Sequence, residues 1–363
     1  MAVWYVHSLV EYLDKINQIS QRYKNESNNE MPILWYRGHE KSNYHLEPSI
    51  YRNFYGKNRE RNSYNSEETY GTIHQKEDFR YQHFLARNYD IMTSMPGSMI
   101  EWQEVMQHYF AKTRLMDWSE SALVSLSFAL EAYMNPIKDH EVEYKRCMNS
   151  PTVWVMNPVK LNQKVYNCFE SSQILIENAL KGISKQNPVD MMNDLKNNQD
   201  IYFHLNCPAE AKMNGIISLS GLEHMCQDFE KNSGEGIYKS GFNPFFYLVL
   251  KYYSDGIPVK MEELPPVAII HPYHSSRIRN QKGAFTVFPY YKEDGVAGCV
   301  LNSGFSPYGM EFMSKCKDCL DKIVIMNPYR TAEQLLTVGV KRAHLYPEME
   351  NMTKDFENNS YGI

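Results

Sequence analysis

EWQEVMQHYFAKTRLMDWSESALVSLSFALEA, residues 101 to 132, decides how the chain is read. Its spacing predicts a helix from Glu101 to Tyr109, a loop from Ala111 to Trp118, and a strongly apolar helix from Ser119 to Ala132 that Pro136 closes. Leu123, Leu126, Ala129 and Leu130 form the expected buried stripe of the second helix. Between the helices stand Gln107, His108, Thr113, Arg114, Asp117 and Trp118. One polar residue at a helix junction carries no special meaning. Imidazole, guanidinium, carboxylate and indole gathered in one loop between rigid elements point to a binding or catalytic site.

Towards the N-terminus, Ser8-Leu9-Val10-Glu11 is a capping box, and Leu9, Leu13, Ile16 and Ile19 follow at helical spacing, so a helix is expected from about residue 8 to Tyr23. The polar run to Pro32 reads as a loop. Ile33-Leu34-Trp35-Tyr36-Arg37 is rich in strand formers and ends in Arg37-Gly38-His39. Gly38 permits close approach of a ligand or a turn, and Arg37 leaves the strand as a planar donor fork. The plain alternative is an Arg37 that pairs with a neighbouring carboxylate. In LEPSIYR, residues 46 to 52, Pro48 at a first helical position would leave Ser49 on an exposed turn, with Arg52 beyond it. Residues 55 to 70 read as a polar surface loop, and His74 to Met92 as a helix broken at Pro96-Gly97.

Towards the C-terminus, Pro151 to Pro158 is a strand bounded by prolines. Residues 161 to 260 change character, rich in Asn, Lys and Gln with helical patches, and read as a mostly helical insertion. His204 with Cys207 and His224 with Cys226 lack the partners a metal would need, so no metal is expected. Strands return at Val267–His271 and Ala284–Phe288, joined by the polar HPYHSSRIRNQKG, and at Ile323–Met326; a helix from Arg330 to Val338 ends at Gly339. Short strands that do not alternate regularly with helices predict an α+β fold: a short-stranded mixed sheet flanked by helices. The division expected is an N-terminal helix and linker (1–30), a first half (31–158), the helical insertion (159–263), a second half (264–352) and a tail (353–363).

Composition sets outer bounds. The 363 residues suffice for a well-buried core, and a net charge of -5 gives no global basic field for nucleic acid or anionic lipid, although a local basic cleft stays open. MAVWYVHSLVEYL lacks a basic n-region and a small-residue cleavage site, and seven scattered cysteines suit reduced thiols, so a cytoplasmic, membrane-free protein is expected. Cys316-Lys-Asp-Cys319 has no second pair at zinc spacing and reads as coincidental.

WYRGH (35–39), LEPSIYR (46–52), QHYFAKTRLMDWSESALVSLSFA (107–129), RIRNQKGAFTVF (277–288) and LLTVGVKRAHLYPEM (335–349) resemble the successive blocks of the FRG domain family, named for a Phe-Arg-Gly motif. Here the triplet is Tyr36-Arg37-Gly38, and Phe110 and Met116 stand where the family has glycine and leucine. The arrangement is in turn similar to ADP-ribosyltransferases, in which a first-strand Arg or His holds NAD and a late-strand Glu orients a ribose hydroxyl. The resemblance implies NAD as cofactor, with Arg37 and Gln281 as catalytic candidates, while His108 is a candidate from its own position at a helix end beside Asp117. It implies Gly38, His39, Ser49, Arg52, Thr113, Arg114, Asp117, Trp118, Arg277 and Phe285 around the nucleotide. Gln281 stands where active enzymes need Glu, with Glu293 or Glu311 as substitutes only if the fold brings either one in.

Three functional readings follow. The first is an NAD-consuming, ADP-ribosyltransferase-like enzyme, a bacterial toxin or antiviral defence effector with a protein target or inhibitory partner. The second is a non-enzymatic sensor of a nucleotide, a dinucleotide or a nucleic-acid end, which Gln281 favours. The third is a hydrolase with His108 as general base oriented by Asp117. Beside them stands a purely structural reading: Arg114–Asp117 as a buried ion pair and Trp118 as a core aromatic.

Overall fold

The computed structural model describes residues 1–26, 31–52, 70–88, 99–109, 111–134, 149–180, 212–213, 216–218, 244–260, 263–270, 276–291, 309–341 and 345–346. Its strands are β1 (Val3–Val6), β2 (Trp35–His39), β3 (Leu115–Ser119), β4 (Thr152–Met156), β5 (Lys212–Met213), β6 (Ile216–Ser218), β7 (Val267–Ile270), β8 (Gly283–Val287) and β9 (Leu320–Ile325). They form one mixed sheet in the order β1-β9-β4-β2-β3-β8-β7-β6-β5, parallel at β1–β9 and β6–β7 and antiparallel elsewhere. The fold is α+β, as the sequence predicted.

Alternation along the strands divides two cores between the two faces of the sheet. Val153 and Val155 of β4, Tyr36 of β2 and Ile323 and Ile325 of β9 pack with α1 (Leu9–Glu26), α4 (Ala122–Ala129) and α9 (Pro328–Thr337). Trp154, Met156, Trp35 and Leu320 face the other way. There they join α3 (Met99–His108), α5 (Pro158–Ser171), α6 (Gln173–Leu180) and α7 (Pro244–Val249). The remaining helices are α2 (Tyr70–Asn88) and α8 (Ser276–Asn280).

Several local expectations hold. The Ser8 hydroxyl accepts from the Glu11 amide at 3.3 Å and the Glu11 carboxylate accepts from the His7 amide at 2.9 Å, so the capping box starts α1. Gly339 at φ 88 ends the last helix. The strand expected at residues 33–37 is shifted to Trp35–His39, so Gly38 and His39 lie inside it.

Others are corrected. Residues 115–119 are not loop but β3, paired with β2 on one side and along its whole length with β8 on the other. Four of its five residues are buried; only Asp117 is exposed, which hides a strand behind a polar sequence. Pro48 opens a turn, closed by Tyr51 N–H on the Pro48 carbonyl at 3.1 Å, rather than a helix. Strand β1 and helix α8 were not foreseen. Within 159–263 the described helices α5, α6 and α7 are joined by two strands, β5 and β6, which extend the same sheet. Asn162 of α5 bonds both the carbonyl and the amide of Ala268 in β7, at 2.9 and 2.8 Å, fixing that helix to the sheet. His204, Cys207, His224, Cys226, Glu293, Phe110 and the breaks at Pro96-Gly97 and Pro136 lie outside the described residues.

Candidate functional site

The site grows from β2. Successive residues alternate faces, so Trp35, Arg37 and His39 point together while Gly38 turns to α4. The close approach that Gly38 permits is made by that helix: a Cβ on Gly38 would lie 2.0 Å from the Ser125 carbonyl oxygen and 2.7 Å from the Ala129 nitrogen. The glycine seats a helix against the strand next to Arg37.

Arg37 donates from Nε to His39 Nε2 at 3.1 Å and from one terminal amine to the Asp117 carbonyl oxygen. The same amine lies 3.9 Å from the Asp117 carboxylate. Asp117 accepts from the Gln107 amide, the Gln107 carbonyl accepts from the Thr113 hydroxyl, and Thr113 Oγ1 accepts from the Leu115 amide at 3.3 Å. Ser49 closes the chain, its hydroxyl accepting from the Thr113 amide at 3.0 Å. A continuous polar path thus runs from His39 through Arg37, Asp117, Gln107 and Thr113 to Ser49. It ties β2, β3, α3 and the 46–52 turn together. Gln107 stands in the middle of this path. Its presence in the 101–132 cluster was the signal that could have added it to the candidate residues.

Electrostatics separate the cations from their surroundings. Burial, then the neighbouring Arg52 charge, push the Arg37 guanidinium down to about 10, and Asp117 opposes them only in part; arginine stays charged at neutral pH. His39 is held well below the usual imidazole value by burial, then by Arg37 and Arg52, with the Tyr44 backbone pulling the other way and Lys322 adding to the depression. Arg52 is exposed and gives Nε to the Glu47 carbonyl at 3.2 Å. The Arg37 side chain is 14% exposed and that of Asp117 60%, so the cation is sunk and its carboxylate partner stands in solvent.

Arg114 is elsewhere. Fully buried, it bonds both Glu77 oxygens at 3.2 and 3.0 Å and the Tyr253 and Phe288 carbonyls at 3.1 and 2.7 Å, and it stacks 3.7 Å above the Tyr290 ring. Burial works against its charge, but Glu77, Tyr290 and Tyr51 hold it, and its pKa ends above the usual arginine value. The Arg114–Asp117 pair expected on the structural reading does not form: the partner is Glu77 on α2, which no sequence spacing announced. Trp118 is core, its indole N–H on Thr286 Oγ1 at 3.1 Å. Phe285 is buried in register with Asp117 on β8.

Gln281 and Arg277 lie on another side of the sheet end. Gln281 gives its side-chain amide to the Leu345 carbonyl at 3.1 Å, and its main-chain carbonyl accepts from the Ser119 hydroxyl at 2.6 Å. Arg277 stacks 4.8 Å above Tyr346. Glu311 is buried and committed, accepting from the Leu46 amide at 3.0 Å and meeting His45 Nδ1 at 2.9 Å. His108 ends α3; its side chain lies outside the described residues. Among the predicted residues the fold therefore gathers Arg37, His39, Ser49, Thr113, Asp117 and the charge of Arg52. It spends Arg114, Trp118, Phe285, Arg277 and Gln281 on other contacts.

Cys316 and Cys319 are buried, and burial beside Asp318 pushes the Cys319 thiol far up, the opposite of a reactive thiolate. Among the described residues no group of three or more His, Cys, Asp or Glu could hold a metal ion. No helix among them is long and apolar enough to cross a membrane.

Compared with known proteins, the chain matches no curated protein and no solved structure. One family model does match. It is described as the FRG domain and covers residues 32–137, the span holding β2, the 46–52 turn, α2, α3, β3 and α4. The gathered polar path, from His39 to Ser49, lies wholly inside it. Residues 32–137 of this chain therefore carry an FRG domain.

Proposed function

We propose that this FRG-domain protein binds a nucleotide, NAD being the first to test, with Arg37 and Arg52 on phosphate and Asp117 on a ribose hydroxyl. The observation that carries the reading is the state of Arg37. It is fixed at Nε by His39 and at one amine by Asp117, and the second amine has no partner among the described residues. A guanidinium held by two edges and open at the third is prepared for an anion with little entropy left to lose. Asp117, exposed and oriented by Gln107, offers acceptors beside it.

Binding is favoured over NAD consumption because two of the three groups that an ADP-ribosyltransferase-like site would call on are engaged elsewhere, the third, Glu293, lying outside the described residues. Gln281 is bound to the Leu345 carbonyl, and Glu311 to His45 and the Leu46 amide. The toxin or antiviral-defence setting rests on the family resemblance rather than on this geometry.

The test is thermal melting of the purified chain with NAD and with ADP, alongside an assay for released nicotinamide. Ligand at a hundred times its Kd adds about 2.7 kcal/mol of stability. A rise in melting temperature that vanishes in Arg37→Ala is the expected result. No rise, or a rise unchanged in Arg37→Ala and Asp117→Ala, would sink the reading. Nicotinamide release dependent on Asp117 would replace it with NAD consumption.

A further inference from the structure

Arg37 shares its face of the sheet with a second cation. The register places Arg37 of β2, Trp154 of β4 and Lys322 of β9 in one row, with His39 and Thr152 paired two residues along. The row lies on the Trp35 side, because Val153 and Ile323 turn to the opposite core. Lys322 Nζ sits 4.8 Å from the Trp154 ring centroid and donates to the Ser42 carbonyl at 2.6 Å. Trp154 is 2% exposed, and its indole N–H has no hydrogen-bond partner among the described residues.

No carboxylate among the described residues comes within ion-pair distance of Lys322. Glu311 acts on it only from a distance, since its oxygens serve His45 and the Leu46 amide. Burial accordingly pushes the Lys322 ammonium down, and Glu311 offsets only part of that. A partly buried cation without a counter-ion is costly, and so is a buried N–H without an acceptor. The row therefore presents donors and two positive charges, with the exposed Asp117 carboxylate, 3.9 Å from Arg37, as the one carboxylate within ion-pair distance among the described residues. Arg37 and Lys322 stand two strand spacings apart, about 10 Å between backbones. Two long side chains can close that gap onto a small ligand.

We propose that Lys322 and Trp154 form a second anion subsite beside Arg37, so that the site takes a pyrophosphate rather than a single phosphate. One phosphoryl group sits on Arg37 and Arg52 and the next on Lys322 with the Trp154 N–H. The inference rests on the nucleotide-binding reading and narrows its ligand to a nucleoside diphosphate or a pyrophosphate-linked dinucleotide.

Calorimetric titration of the full chain with inorganic pyrophosphate and with inorganic phosphate, at low salt, tests it. Pyrophosphate is expected to bind roughly ten-fold or more tighter than phosphate. Lys322→Met, which keeps the stem against Trp154, removes that preference and leaves phosphate binding alone. Trp154→Phe weakens pyrophosphate by about three-fold. Equal affinities in the wild type, or a preference that survives Lys322→Met, overturn the subsite. Should Lys322→Met not fold, Lys322→Arg must keep the preference, and its loss there counts equally against the proposal. An ADP titration separates the two readings. ADP binding that needs Arg37 but ignores Lys322 leaves the nucleotide reading standing without the subsite. Pyrophosphate binding that needs Lys322, with no affinity for ADP or NAD, does the reverse.

Discussion

Arg37 and Arg114 are the two arginines at the centre of this sheet, and the fold treats them in opposite ways. Arg114 is sealed: its Nε–H is shared by both Glu77 oxygens, one terminal amine meets two carbonyls, an aromatic face covers it, and it has no exposed surface. Arg37 is left open: its nearest carboxylate oxygen is 3.9 Å away on an exposed side chain, and its neighbours include another guanidinium, a histidine and a lysine in the next-but-one strand. A buried cation neutralised by a buried carboxylate holds structure together. A cation left short of negative charge is a place for a ligand. The arginine type in the sequence distinguishes neither; the partners do.

The largest effect should come from breaking the sealed pair. Glu77→Gln leaves a buried guanidinium without its carboxylate, and Arg114→Ala leaves a buried carboxylate alone; either should cost about 3–5 kcal/mol. Chemical denaturation measures it. A loss below about 1 kcal/mol in both would mean that Arg114 is not the closed structural element described, and the contrast with Arg37 would collapse.

That contrast also marks what the sequence could show. The strands at 152–156, 267–270, 283–287 and 320–325 announce themselves by β-branched runs, and α1 by its capping box, because these signals are local. Strand β3 does not: Thr113, Arg114 and Asp117 make LMDWS look like loop, and only pairing with β8 and β2 makes it a strand. The site divides in the same way. Arg37, Asp117, Thr113 and Ser49 were legible as polar residues at element ends. Glu77 and Lys322 were not, since their roles depend on helix α2 crossing to Arg114 and on β9 lying two strands from β2. Contacts across 37 or 280 positions leave no trace in spacing.

Next in size is Gly38→Ala. The added Cβ would overlap the Ser125 carbonyl at 2.0 Å and the Ala129 nitrogen at 2.7 Å, both of them backbone, so α4 must move off β2. About 2–3 kcal/mol of destabilisation is expected, with ligand binding weakened because Arg37 shifts with the strand. A variant as stable as the wild type would show that α4 is not held against the strand as closely as its contacts imply.

Arg37→Met should do the converse: stability within about 1 kcal/mol of the wild type, or higher, because an under-paired cation is replaced by an apolar chain of similar reach. Anion binding should disappear. Urea denaturation and phosphate titration of one sample read both quantities. A large loss of stability would place Arg37 with Arg114 among the structural arginines and end the comparison.

The smallest effect is a slope rather than a step, and it belongs to His39. Its ring is held neutral in the folded chain by burial, Arg37, Arg52 and Lys322, against the Tyr44 backbone, and its pKa lies well below the unfolded value of about 6.5. Above pH 6.5 the ring is neutral in both states and costs nothing. As pH falls below it, the unfolded chain takes a proton that the folded chain refuses, so stability declines until the folded pKa is reached. Melting temperatures between pH 8 and pH 5 should fall on the acid side, and less steeply in His39→Gln, which keeps an acceptor for Arg37 Nε. A bound anion reverses the balance, because it neutralises the cations that depress the ring. Inorganic pyrophosphate should therefore raise the His39 pKa, read from its imidazole resonances, and flatten the acid slope of the wild type. Parallel slopes in wild type and His39→Gln would show that the charges around Arg37 do not converge on His39, and an unmoved resonance with pyrophosphate bound would place the anion away from this row.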